Sequence, residues 1–147
     1  MQTFLPYSSF ERCAKVLDYR RLGKQRIEAH QILSINYGLT PNSKWRNHVC
    51  VRMWRGYDRA LLEYAYQIVF EWRNRGFVDN MLERFNSDFM ALNSAPIVRP
   101  PWLGEKQLHT SHRAALLHKQ FEFYSQVKPR WKEEPQLDYW WPVPRYT

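Results

Sequence analysis

Cysteine is scarce in this chain of 147 residues, which has only Cys13 and Cys50. Two cysteines make neither a disulfide framework nor a four-cysteine zinc site. No apolar run approaches the ~18 residues that a membrane helix requires. The opening Met1-Gln2-Thr3-Phe4-Leu5-Pro6 lacks the basic region and apolar core of a signal peptide. The expectation is a soluble, reduced, cytoplasmic protein with no membrane partner. A glycine-rich phosphate loop, a Gly-x-Ser-x-Gly elbow and a compact carboxylate cluster for magnesium are also missing. Acidic residues are in deficit, with 14 Asp and Glu against 22 Lys and Arg, a formal charge of +8.

Aromatic residues are plentiful: 7 Trp, 9 Tyr and 8 Phe, in a chain that is 44% hydrophobic. Such a chain can repay the entropy of ordering, which excludes a disordered tail. At ~150 residues per domain, residues 1–147 form one domain that needs no disulfide or metal to hold its core.

The excess charge lies on one side of the sequence. Residues 12–59 hold eleven basic side chains against Asp18, Glu28 and Asp58, a net of +8, and the rest sums to zero. A basic lobe on a neutral body suits a polyanion, because each neutralised phosphate releases counterions. Nucleic acid is the expected partner.

The periodicity predicts an all-α fold of four to six helices with an irregular, aromatic-rich C-terminal tail. Ser8 and Glu11 form a capping box that opens a helix through Leu17. A second helix runs from Arg20 to Tyr37, with Leu22, Ile27, Ile32, Leu33 and Ile35 as its buried stripe and Gly38 as its stop. A third pattern starts at Asn47, breaks or kinks at Gly56 and continues to Arg75, with Gly76 ending it. A shorter helix covers Asn80–Phe89. Thr110 or Ser111 caps a last helix through Tyr124, with Leu116, Leu117 and Phe121 inward. The tail carries Trp131, Tyr139, Trp140, Trp141 and Tyr146.

The sharpest local signal is Tyr19-Arg20-Arg21-Leu22-Gly23-Lys24-Gln25-Arg26-Ile27-Glu28. On a helix, Arg21, Lys24 and Glu28 share one face, so one carboxylate stands among cations. It is either a surface partner of Lys24 or a catalytic group that must work inside a phosphate-binding face. His109 and His112, with His48 and Cys50, make a competing set. Either the four together ligate zinc, or His109 and His112 are polar groups that meet phosphate at a helix N-terminus. Trp140 and Trp141 either staple the tail to the helices or offer a stacking surface beside DNA.

Three stretches together resemble the pyrimidine-dimer DNA glycosylases of the phage endonuclease V type. They are Arg20–Leu33 with its Arg-Leu-Gly-Lys-Gln-Arg-x-Glu run, Asn47–Phe77 ending in Arg-Gly-Phe, and His109–Leu117 with the aromatic tail. The likeness is greatest to a bacterial and phage branch beginning Met-x-Thr-Phe-Leu-Pro-Tyr. The resemblance implies an all-helical enzyme without metal or cofactor, acting on double-stranded DNA with a lesion or modified base. It also implies a monomer in the cytoplasm, nucleoid-associated or in a host cell if phage-encoded. An N-terminal amine displaces the base, and the resulting imine cleaves the strand by β-elimination. α-Amines titrate near pH 8, so an appreciable fraction is nucleophilic at neutral pH.

Residue by residue, Glu28 falls on the family's catalytic glutamate. The nucleophile is the amine of Met1, or that of Gln2 if Met1 is removed, although bulky Gln2 hinders that removal. Lys24 is an alternative amine. The arginine that follows the family's nucleophile is missing, with Thr3 and Phe4 in its place. Ile27 and Gln31 replace the arginines flanking the glutamate, and Arg20, Arg21 and Lys24 supply charge from the preceding turn. The expected DNA contacts are Arg20, Arg21, Lys24, Arg26, Arg46, His48, His109, His112, Trp140 and Trp141. The other reading is a non-catalytic DNA- or RNA-binding module on the same fold.

Overall fold

The computed structural model describes residues 1–145, so Tyr146 lies outside it. Among the described residues there are seven α-helices, one 3₁₀ turn and no strand: α1 Phe10–Val16, α2 Tyr19–Asn36, α3 Val49–Met53, α4 Asp58–Asn74, α5 Leu82–Asp88, the turn Met90–Ser94, α6 Lys106–Lys119 and α7 Phe121–Tyr124. The all-α expectation holds. The number of helices exceeds it because α3 and α7 are separate pieces, five and four residues long.

The two long helices α2 and α4 pack together at the centre, and α1 packs on α4. Leu22, Ile32 and Leu33 of α2 meet Leu61, Leu62, Ala65, Ile68 and Val69 of α4 in the core. Each large aliphatic side chain buried there contributes about 1.5–3 kcal/mol relative to exposure. Gly23 lets the two helices approach, since a Cβ there would stand 2.9 Å from the Trp72 ring. Both long helices close in the same way. At the end of α4, Gly76 at φ +90° lets its own N–H reach Arg73 O and the Phe77 N–H reach Trp72 O. Gly38 does the same for α2, as expected.

Several boundaries differ from the sequence reading. Ser9, not Ser8, caps α1 by accepting from the Arg12 N–H, and Glu11 pairs with Lys15 instead of closing a capping box. Helix α6 begins at Lys106, so Thr110 and Ser111 lie inside it and bond back to the carbonyls of Lys106 and Leu108. The last helix breaks at Gln120, which leaves Phe121 exposed, not inward. Ile27 is also exposed, because the opposite, core-facing position of α2 belongs to Gln25.

Candidate active site

Residues 2–6 run irregularly through the interior, so their peptide groups need partners other than a helix. Side chains supply them. Gln25, 1% exposed, gives all of its hydrogen-bonding capacity to this segment and its surroundings. Its Oε1 accepts from the Phe4 N–H (3.1 Å) and the Tyr64 hydroxyl (2.6 Å), and its Nε2 donates to Gln2 O (2.8 Å) and Glu28 Oε2 (3.0 Å). Trp54 Nε1 donates to Thr3 Oγ1, and Arg113 to Pro6 O at 2.7 Å. The segment ends against Glu28, where the Gln2 N–H donates to Oε2 at 3.3 Å.

His109 and His112 hold Leu5 from α6. His109 Nδ1 donates to Leu5 O at 2.7 Å while its Nε2 accepts from the Gly104 N–H at 3.0 Å, which defines a neutral ring. His112 Nδ1 accepts from the Leu5 N–H at 2.9 Å. Burial pushes the His112 ring down to about 3, with His109 adding to the effect. Burial also lowers His109, opposed by the Leu5 carbonyl and reinforced by Arg113 and Arg99. The expected phosphate contacts of these two histidines are therefore corrected: both are buried and clamp the N-terminal segment. The alternative zinc set is not assembled either. Among the described residues no three His, Cys, Asp or Glu side chains come together, and Cys50 Sγ faces Thr3 and Gln2.

Met1, Gln2, Gln25 and Glu28 line a cleft of about 590 Å³. Arg20, Arg21, Lys24 and Lys119 also line it, with Gln120 and Tyr139 from the C-terminal third. Glu28 is the one carboxylate among these lining residues. Its Oε2 is taken by Gln2 and Gln25, and its Oε1 has no hydrogen-bond partner among the described residues. Arg21 is oriented by Asp18 (3.1 Å) and Gln120 (3.0 Å). Burial raises the Asp18 carboxyl, but hydrogen bonds from Tyr124 and Arg21 outweigh it, so it sits below its ordinary value. Burial pushes the Tyr139 hydroxyl up to about 12, so it is a neutral donor at physiological pH. A second concavity of about 520 Å³, around Tyr7, Arg12 and Phe123, has no carboxylate in its lining.

The remaining expected DNA contacts divide. Arg20 and Lys24 are exposed at the cleft, and Arg46 is exposed on the loop before α3. Arg26 is corrected: its guanidinium pairs with Asp79 at 2.6 Å and lies 4.4 Å over the Trp72 ring, with a side chain 12% exposed. His48 caps α3 by accepting from the Cys50 N–H at 3.0 Å. Burial lowers its pKa, and the positive charges at the start of the chain and on Arg52 lower it further. Trp141 packs edge-on against His48 at 6.4 Å, and Trp140 donates its backbone N–H to Ser111. Both rings are half-buried against the core. Gln25, Tyr64 and Tyr139 are site residues that the sequence reading does not find.

Fold and site define a class: an all-α domain whose cleft sets one carboxylate against the first residues of its own chain, beneath a rim of cations. A family model described as pyrimidine dimer DNA glycosylase matches residues 1–84, more than half of the chain, and the chain belongs to this family. No curated protein and no solved structure matches it. The matched stretch contains Met1, the Arg20–Glu28 run and Tyr64, whereas Lys119, Gln120 and Tyr139 come from beyond it. No helix among the described residues is long and apolar enough to cross a membrane.

Proposed function

We propose that this protein removes a pyrimidine dimer or related modified base from double-stranded DNA by amine attack, and then cleaves the strand at the abasic site. The observation that carries this reading is the 3.3 Å hydrogen bond from the Gln2 N–H to Glu28 Oε2, which sets the start of the chain beside the carboxylate inside a cationic cleft. The amine of Met1 attacks C1′ of the damaged nucleotide, the C1′–N bond breaks, and the base leaves with a proton. The C1′–O4′ bond then breaks, O4′ takes up a proton, and the nitrogen lone pair forms the protonated C1′ imine that serves as the electron sink for the next step. Glu28, through its open Oε1, accepts the C2′ proton, and the electron pair moves to expel the 3′ phosphate by β-elimination. Arg20, Arg21 and Lys24 hold the flanking phosphates, which compensates for placing a carboxylate in such a site.

Borohydride trapping on abasic DNA tests this. The wild-type protein forms a covalent adduct, an uncleaved N-terminal extension abolishes it, and Lys24→Met retains it. The specific rival is a lysine nucleophile, since Lys24 is exposed in the same cleft. It predicts the reverse pattern. Absence of any adduct would leave a DNA-binding module.

A further inference from the structure

The turn that ends α4 builds an apolar ridge beside the cleft. Val78 is 92% exposed, Tyr19 52% and Phe77 38%. The ridge is rigid. Phe77 stacks on Trp72 at 4.2 Å and 24°, and Tyr19 lies near-parallel to Phe77 at 6.2 Å and 26°. Val78 O accepts from Trp72 Nε1 at 2.9 Å, and the Trp72 ring is wedged over Gly23. An almost fully exposed valine is thus held on a fixed support, where a solvated loop would carry a polar residue.

The ridge and the cleft share a wall. The Arg20 guanidinium lies 5.7 Å over the Tyr19 ring, its Nε donates to the Tyr19 hydroxyl at 3.1 Å, and the same side chain lines the cleft. Exposed Lys24 lines the cleft, and exposed Arg73 stands in the last turn of α4, just before Phe77 and Val78. The nearby acid, Asp79, is neutralised by Arg26. An apolar tip bordered by cations and continuous with a DNA-acting cleft fits a duplex, whose phosphates meet the cations while its base step meets the tip.

We propose that Tyr19, Phe77 and Val78 form a wedge that enters the base stack beside the lesion and helps unstack the nucleotide bound for the cleft. This inference rests on the DNA-glycosylase reading above. Two substrates test it: a dimer in a fully paired duplex, and the same strand in a mismatched bubble that is already unstacked. Val78→Ser is expected to slow single-turnover base release about tenfold on the duplex and less than about twofold on the bubble, with unchanged melting temperature. An equal fall on both substrates, or no fall, overturns the wedge. Fluorescence of 2-aminopurine placed beside a non-cleavable abasic analogue reads unstacking without turnover. It rises on binding wild type and not on binding Val78→Ser, and an equal rise with both overturns the wedge. If wild type releases no base from either substrate, the glycosylase reading fails, and the fluorescence still decides the wedge.

Discussion

The Gln25 side chain donates to Glu28 at 3.0 Å while its oxygen accepts from the Phe4 N–H at 3.1 Å. One buried amide therefore sets the spacing between the carboxylate and the start of the chain. Gln25→Glu keeps the acceptor for Phe4 and Tyr64 but places a carboxylate against Gln2 O and Glu28. Base release in a single turnover is expected to fall roughly 10²-fold, because small displacements of reacting groups cost that much. DNA affinity, measured by titration, should hold. Gln25→Leu instead orphans the Phe4 N–H and Gln2 O and lowers stability by about 1–3 kcal/mol for each group.

Glu28→Gln retains an acceptor for Gln2 and Gln25 but loses the charge and the proton acceptor. Base release and strand cleavage should each drop by at least ~10²-fold, the scale of acid–base assistance. Affinity for duplex DNA should hold or rise as the repulsion of phosphates disappears. Undiminished cleavage by this variant would return Glu28 to a surface partner of Lys24.

Stability should fall on acidification. In the folded state His112 titrates near 3, and in the unfolded chain near 6.5. Below pH 6.5 the unfolded state takes up a proton that the folded state refuses, so stability present at neutral pH is lost progressively toward about pH 3. His109, His48 and His30 are lowered too and act in the same direction. Urea midpoints between pH 7.5 and 5 should decline. His112→Gln, which keeps an acceptor for the Leu5 N–H, should flatten the slope.

The structure separates two arginines that look alike in sequence. Duplex binding should weaken with salt with a log–log slope of magnitude roughly 4 to 8, and Arg20→Glu should reduce it by about one. Arg26→Glu should instead lower the melting temperature, because it breaks the pair with Asp79 and the stack on Trp72.

Gly23→Ala improves helix propensity by about 1 kcal/mol but drives a methyl to 2.9 Å from Trp72. The ring cannot retreat freely, since Phe77, Arg26 and the Val78 carbonyl all hold it. A net loss of about 1–2 kcal/mol is expected in denaturant unfolding, within the range for overpacked sites.

The legible parts of this molecule are those with local causes. The 3.6-residue pattern marks α2 and α4, and Gly38 and Gly76 mark their ends. Glu28 is visible as a lone carboxylate on a cationic face. Gln25 is hidden because glutamine on a helix reads as surface until Phe4 and Tyr64, 21 and 39 residues away, are seen to need it. Arg26 is misread for the same reason, its partner lying 53 residues on. The histidines are misplaced because α6 starts at Lys106 after Glu105, whose side chain makes no capping bond to announce it.

Leu5 is fastened by His112, 107 residues later in the chain. Synthesis proceeds from the N-terminus at about 5–20 residues per second, so the opening residues wait several seconds for the helix that seats them. Until α6 has left the ribosome, Leu5 lacks both of its histidine partners, and Gln25, Trp54 and Tyr64 hold the residues before it. Lys119, Gln120 and Tyr139, which complete the wall of the cleft, emerge later still, so the cleft is assembled from its N-terminal side first.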